Sequence, residues 1–230
     1  MLYATYQGLD DLFAPLRDFA RLGMAFSPVA EGPLKGMLRR NVAWLEMISR
    51  FQLTHTRPPF GITSVRVGNR DLPVKEEIVH DLPFGQLVKF SRDSDTPLPR
   101  ILLTAPLSGH FATLLAGTVQ TLLRDHEVYI TDWKNARDIP LEAGEFGVED
   151  YVEYLIRFLE VLGPENNVLA VCQPCVQALI AVAVMSKEDH PCTPRTMTLM
   201  AGPIDVRESP TVVNELAFGK PLSWFKRNVL

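Results

Sequence analysis

The sequence lacks a long apolar run and an excess of basic residues, and each absence excludes a class of protein. No apolar stretch approaches the roughly 18 residues of a membrane span, and the chain does not start with the charged and apolar regions of a signal peptide. Lys and Arg number 23 against 27 Asp and Glu, for a net charge of −4. The chain therefore has no basic field for a row of phosphates. We expect a cytoplasmic protein that spans no membrane and binds no nucleic acid.

Cysteine is scarce, with three residues in a chain of 230. Cys172 and Cys175 are too close in the sequence to join distant segments by a disulfide bond. An odd number of cysteines also favours free thiols in a reducing compartment. The cysteines are therefore candidates for chemistry. Internal repeats and low-complexity tracts are also lacking, and nothing in the sequence predicts a cofactor or a metal ion.

Hydrophobic periodicity divides the chain at about residue 60. Over 1–60, apolar residues recur at spacings of three and four, which predicts a helical N-terminal extension, interrupted at Pro28 and at Pro33. Beyond it the period changes to two, around a hairpin-type turn at 68–71. This change predicts antiparallel strands at the edge of a sheet.

From residue 100 onward, short apolar runs alternate with helical patterns, which is typical of parallel βαβ units. The predicted strands are 100–105, 127–131, 167–171 and 196–201, and the predicted helices are 110–124, 148–162 and 174–186. The fold class predicted for 61–230 is therefore α/β, a mostly parallel sheet with antiparallel strands at its N-terminal edge.

The most informative turn follows the predicted strand that ends at Val171. Ligands of an open parallel sheet bind beyond the carboxyl ends of its strands. Cys172 stands there, between the strand and an apolar helix pattern, which is the nucleophile-elbow position of an α/β-hydrolase. Ala170 and Pro174 replace the two glycines of Gly-x-Ser-x-Gly, and both suit a tight strand–helix turn. The helix dipole is expected to favour the thiolate, so Cys172 is a candidate nucleophile.

A second loop completes the predicted site. The oxyanion hole of this fold combines the N–H of the residue after the nucleophile, here Gln173, with an N–H from the loop after the third strand. That loop is predicted to hold Leu107, Ser108, Gly109 and His110. Gly109 would let the backbone approach a reacting carbonyl, and Ser108 is either a site residue or a cap of the next helix.

Histidines that could act as the catalytic base are few. The order in this fold is nucleophile, acid, histidine, and His190 is the only histidine after Cys172. A helix of about 13 residues, or roughly 20 Å, separates the two, which places His190 at the opposite edge of the sheet. We predict a structural or surface role for His55, His80 and His126. His110 lies at the correct edge, as a base or as a residue that shapes the oxyanion loop, and Asp205 is a downstream carboxylate there.

Two other interpretations of the cysteine motif stay open. Cys172 and Cys175 form a C-x-x-C that opens a helix, which is typical of thiol–disulfide redox proteins. Two buried thiols packed as small hydrophobic residues would need no chemical role.

Three separated stretches carry a family resemblance: VCQP at 171–174, TAPLSGHFATL at 104–114 and YITDWKNAR at 129–137. Together with residues 3–22, they resemble the intracellular polyhydroxybutyrate depolymerases of bacteria. The resemblance implies an α/β-hydrolase that uses a cysteine, here Cys172, to cleave the ester bonds of a storage polyester on cytoplasmic granules. The implied partner is a polyhydroxybutyrate granule or oligomer. Whether the chain forms a homo-oligomer, and whether water or coenzyme A is the acceptor, stay open.

The resemblance also implies that the catalytic acid and histidine lie further along than this chain runs. We therefore expect the N-terminal part of a longer enzyme, with a sheet incomplete at its C-terminus. One alternative is a polyester synthase-like acyltransferase, although that family keeps glycines where this chain has Ala170 and Pro174. Another is an inactive granule-binding module that uses the apolar residues of 1–60 and 211–230.

Overall fold

The computed structural model describes residues 2–25, 35–52, 56–95 and 97–229. They belong to two compact units, one formed by Met1–Thr56 and Arg207–Leu230 and the other by Arg57–Val206. The predicted interruption at Pro28 and Pro33, and the histidine His55, lie outside the described residues. The domain boundary at residue 60 stays a prediction.

The regular elements that the structure describes in the first unit are helices. Its helices are α1 (Leu2–Ala25), α2 (Lys35–Arg50), α6 (Val212–Gly219) and α7 (Leu222–Asn228). The buried Arg17 joins α1 to the end of α2, because its guanidinium donates to the carbonyl oxygens of Asp10 (2.8 Å) and Phe51 (3.3 Å). In the parts of the chain that the structure describes, no helix is long and apolar enough to cross a bilayer.

The second unit contains a seven-stranded sheet. Its strands are β1 (Ser64–Val67), β2 (Arg70–Asp81), β3 (Gly85–Arg92), β4 (Arg100–Thr104), β5 (Glu127–Trp133), β6 (Asn166–Val171) and β7 (Thr196–Met200). They lie in the order β1–β2–β3–β5–β4–β6–β7. The first three pair antiparallel, β3 pairs antiparallel with β5, and the last four strands of the chain run parallel. The predicted α/β fold with antiparallel N-terminal strands is confirmed.

Local sequence explains the antiparallel hairpin. Gly68 adopts a φ of +59°, which a glycine tolerates without steric cost, and it turns β1 back into β2. The second strand begins at Arg70, inside the predicted turn at 68–71, and its pairing register with β3 shifts between Ile78 and His80.

Helices cover both faces of the sheet. On one face, α4 (Val148–Leu162) and α5 (Cys175–Lys187) pack with β3 to β6, and the predicted apolar stripe of α4 is buried there. On the other face lies α3 (Ala116–Leu122), which a 3₁₀ turn at Ala112–Leu115 precedes. The predicted helix over 110–124 therefore begins later than expected. The capping role considered for Ser108 is wrong, because the turn starts after Phe111 and no side chain caps it.

Candidate active site

Cys172 occupies a sharp turn between β6 and α5, and its backbone φ is +68°. Few residues other than glycine adopt this left-handed region, because the β-carbon crowds the backbone there. Two hydrogen bonds hold the turn: the N–H of Cys172 donates to the carbonyl of Met200 on β7 (2.7 Å), and its carbonyl accepts from the N–H of Cys175 (3.2 Å). The thiol of Cys172 is exposed at the carboxyl edge of the parallel strands. The position is the one predicted, and the role of nucleophile stays a prediction.

The second thiol of the motif has a different environment. Cys175 is fully buried, and its Sγ lies 3.4 Å from the carbonyl oxygen of Ala170 and 3.5 Å from that of Met200. Burial raises the pKa of the Cys175 thiol. A buried thiol of this kind behaves as a small packing residue.

The loop after β4 begins at a firmly held residue. Ala105 donates its N–H to Oγ1 of Thr131 (2.8 Å), and its carbonyl accepts from Nε1 of Trp133 (2.9 Å) and from the hydroxyl of Tyr151 (3.1 Å). All four residues are buried. Burial also raises the pKa of Tyr151, so its hydroxyl remains protonated and able to donate. These bonds fix the point at which the chain leaves the sheet.

Beyond that point the loop is exposed and reaches the elbow by one side chain. The N–H of Leu107 donates to Oε1 of Gln173 over 2.8 Å. Gly109 has a φ of +82°, which turns the chain toward the 3₁₀ segment. Within residues 97–229, Ser108, Gly109 and His110 have no hydrogen bond that would hold them elsewhere, and all three are exposed. The structure thus brings Cys172 and Gln173 together with the predicted loop.

The other histidines that the structure describes lie away from the elbow. His190 follows α5, and its Nε2 is 3.1 Å from Oε1 of Glu160 near the end of α4, at the opposite edge of the sheet as predicted. His126 precedes β5 at that same edge, and the ring of His80 packs against that of Phe158 with centroids 6.1 Å apart. His190 and His126 therefore cannot serve Cys172 as a base, and three strands of the sheet separate His80 on β2 from β6.

Sequence reasoning gave no role to Asp132, which the structure buries at the carboxyl end of β5. Its Oδ2 accepts from Nε2 of Gln86 (2.8 Å) and lies 3.0 Å from Nε of Arg57, while its Oδ1 has no partner among the described residues. Burial raises the pKa of the Asp132 carboxyl, and the bonds to Gln86 and Arg57 act in the opposite direction. A carboxylate directly after a buried strand was the signal available in the sequence.

Comparison with known proteins gives remote structural similarities only. No protein-family model matches this sequence, and no curated protein sequence matches it. A hyperthermophilic esterase from Pyrobaculum calidifontis is similar over 86% of this chain and 61% of its own, with 12% identity and a TM-score of 0.46. A Staphylococcus aureus protein assigned as an esterase is similar over 80% of this chain and 59% of its own, with 13% identity and a TM-score of 0.48.

An Acinetobacter baumannii AYE protein assigned as a lipase is similar over 63% of this chain and 46% of its own, with 19% identity and a TM-score of 0.44. This chain therefore spans between 46% and 61% of the length of these structures. The assignment of the fold rests on the strand order, the antiparallel entry and the strand–turn–helix at Cys172. The Arg57–Val206 unit has an α/β-hydrolase-type fold.

Proposed function

We propose that this chain carries the nucleophile and the oxyanion loop of an ester hydrolase, with Cys172 as the nucleophile. One observation supports this most: an exposed thiol on a residue with φ of +68°, at the strand–helix turn where this fold presents its nucleophile. Strained backbone at such a turn costs about 1–3 kcal/mol and persists where surrounding structure determines it. The bonds from Cys172 to Met200 and Cys175 supply that support.

The chemistry follows from the geometry of this turn. The sulfur of Cys172 attacks the ester carbonyl carbon, and the thiol proton passes to a base. The negative oxygen of the tetrahedral intermediate accepts hydrogen bonds from the N–H of Gln173 and from N–H groups of residues 108–110; the N–H of Leu107, which the sequence also offered as a donor, is bonded to the side chain of Gln173. Collapse of the intermediate expels the alcohol, which takes up a proton, and leaves a thioester on Cys172. An acceptor, water in a hydrolase, then attacks this thioester and releases the acid.

The substrate we propose is a polyhydroxybutyrate-type polyester held on cytoplasmic granules. Support comes from the resemblance of three stretches, of which VCQP at 171–174 places a cysteine where most enzymes of this fold have serine. The first residues of the other two stretches lie in β4 and β5, and both stretches run on into loops at the carboxyl edge of the sheet. All three therefore border the same edge, where ligands of parallel sheets bind.

The redox interpretation is less well supported. A redox pair needs a second thiol that can attack a disulfide, but Cys175 is fully buried and its pKa is raised by burial. An apolar packing role accounts for Cys175 without further assumptions.

Acylation of the chain by a short activated ester tests the proposal. With p-nitrophenyl butyrate, we expect the butyryl group on Cys172, located by peptide mass spectrometry. Acylation should be lost in Cys172→Ala and retained in the matched variants Cys175→Ala and Cys192→Ala. Equal loss in Cys172→Ala and Cys175→Ala, with a reversible disulfide between the two, would instead favour a redox protein.

Amorphous granules test the substrate. Released hydroxybutyrate that depends on Cys172 would support polyester hydrolysis, whereas sedimentation with granules and no product would support a binding module. Transfer of the acyl group to coenzyme A in preference to water would support the acyltransferase alternative.

A further inference from the structure

We propose that the side chain of Gln173 positions the oxyanion loop, in addition to any role of its backbone N–H. The proposal rests on the proposed function, because it assigns a positioning residue for attack by Cys172. Its basis is the hydrogen bond of 2.8 Å from the N–H of Leu107 to Oε1 of Gln173, two residues that are 66 positions apart in the sequence.

The loop needs such a tether. Its first residue, Ala105, is fixed by three buried hydrogen bonds, and Pro106 is buried as well. From Leu107 onward the loop is exposed, and in the described part of the chain residues 108–110 make no hydrogen bond to the rest of the protein. The bond to Gln173 is therefore what ties the exposed part of the loop to the elbow.

The tether also assigns the donors of the oxyanion hole. Because the Leu107 N–H is already donated to Gln173, it is not free for a substrate oxygen. The donors that remain are the backbone N–H of Gln173 and the N–H groups of Ser108, Gly109 and His110. The side chain of Gln173 thus spaces these two sets of donors relative to each other, and catalysis by preorganised donors depends on that spacing.

The test compares two reactions at Cys172 that differ in their need for an oxyanion hole. Acylation by p-nitrophenyl butyrate passes through a tetrahedral oxyanion, whereas alkylation by iodoacetamide occurs at a saturated carbon and forms none. In Gln173→Met, which has a similar shape but no acceptor oxygen, we expect acylation to slow by about ten- to a hundredfold, as misplacement of a catalytic group by about 1 Å does. Alkylation should change by less than about twofold, because it does not use the donors.

Gln120→Met on the exposed surface of α3 is the matched control, and it should leave both rates unchanged. Hydrogen exchange supplies a readout that does not depend on reactivity. The Leu107 amide should be protected in the wild-type chain and in Gln120→Met, and it should exchange faster in Gln173→Met.

Three results would overturn the proposal. Equal slowing of acylation and alkylation in Gln173→Met would show a general effect on Cys172. Unchanged or faster acylation in Gln173→Met would show that the Gln173 side chain does not position the loop. It would then only compete with the substrate oxygen for the N–H of Leu107. Alkylation without any acylation of wild-type Cys172, with Leu107 protected, would contradict the proposed function itself and the oxyanion role of Gln173 with it, and this pattern is distinct from the other two.

Discussion

Cys172 holds an unfavourable backbone conformation at the point where the chemistry is proposed. For a residue with a β-carbon the left-handed region costs roughly 1–2 kcal/mol, and glycine avoids this cost. The hydrogen bonds of its N–H and carbonyl keep the turn in place whatever the side chain is. Strain at position 172 can therefore be measured by substitution.

We expect Cys172→Gly to stabilise the chain by up to about 1 kcal/mol, because glycine relieves the strain and loses part of that gain to its larger unfolded-state entropy. Urea denaturation followed by circular dichroism measures the difference. Cys172→Ala keeps the β-carbon and should leave stability nearly unchanged. Destabilisation by glycine relative to alanine would show that the positive φ costs nothing here.

Asp132 is the buried carboxylate of the same edge, and burial raises its pKa. The folded chain therefore binds the proton of the Asp132 carboxyl more tightly than the unfolded chain does. Aspartates of an unfolded chain titrate at about pH 3.9. The stability that protonation contributes is full below that pH and is lost as the pH rises through the folded-state pKa. Deprotonated Asp132 remains paired with Arg57, and this ion pair limits the loss of folding stability without reversing it.

Asp132→Asn has no carboxyl to deprotonate at this position, so it should not show this loss of folding stability. As the pH rises from about 4 toward neutrality, the variant should therefore become more stable relative to wild type. Thermal denaturation across this range measures the difference. Asp138→Asn, at an exposed position in the loop after β5, is the control and should show no such trend. A relative stability that falls with pH would mean that the ion pair with Arg57 outweighs burial.

At the scale of elements, α5 and the end of β7 approach each other closely around Gly202. A β-carbon on Gly202 would lie 2.1 Å from Cβ and 2.4 Å from Sγ of Cys175, and 3.0 Å from the carbonyl oxygen of Cys172. Real side chains do not approach so closely, so the segment after β7 packs on the start of α5 only because residue 202 has no side chain. The elbow motif has Ala170 and Pro174 in place of its glycines, and Gly202 provides the close approach from the segment that follows β7.

Gly202→Ala should therefore destabilise the chain by about 1–3 kcal/mol, the usual cost of overpacking. It should also slow acylation of Cys172, because the backbone oxygen of the elbow must move. Denaturation and the p-nitrophenyl butyrate reaction measure the two effects. Gly117→Ala in α3, where a β-carbon meets no atom within 4 Å, is the control and should be neutral or stabilising. Equal behaviour of the two variants would contradict the close packing.

A second contact between elements supports the proposed oxyanion loop. Trp133 at the end of β5 and Tyr151 in α4 have ring centroids 4.3 Å apart, and both donate to the carbonyl of Ala105. Gly85 at the start of β3 leaves room for the indole, since a β-carbon there would lie 2.7 Å from Cε3 of Trp133. Three elements thus position the first residue of the loop.

At the scale of the whole molecule, the described residues combine the proposed nucleophile with the proposed oxyanion loop, and none of their histidines is hydrogen-bonded to Cys172. General acid–base catalysis typically contributes about 10²- to 10⁴-fold to such reactions. A thiol attacks an activated ester with little help from general acid–base catalysis, whereas hydrolysis of the resulting thioester depends on it more strongly. Formation and breakdown of the acyl group should therefore differ in rate.

We expect this chain to release a stoichiometric burst of p-nitrophenol from p-nitrophenyl butyrate and to turn over at no more than a trace rate afterwards. Stopped-flow absorbance separates the burst from the steady state. Rapid steady-state hydrolysis that is lost in His110→Ala would show that His110 acts as the base.

Local sequence determined the order and type of the elements. The change of period from three and four to two near residue 60, and the alternation of apolar runs with helical patterns after residue 100, predicted the sheet and its covering helices. The position of Cys172 between a buried strand and an apolar helix was also local information, because a strand–turn–helix needs only a few consecutive residues. Boundaries were less accurate at β2, which begins at Arg70 inside the predicted turn of 68–71.

Only the tertiary structure decided which groups of the site meet. The hydrogen bond between Leu107 and Gln173, the partners of Asp132 and the close approach of Gly202 to Cys175 join segments that are far apart in the sequence. Each depends on strand order and on the packing of helices against the sheet, and neither periodicity nor a short motif specifies these. The physical reason is that hydrophobic patterning determines which face of an element is buried, whereas contacts between distant side chains depend on how the elements pack together.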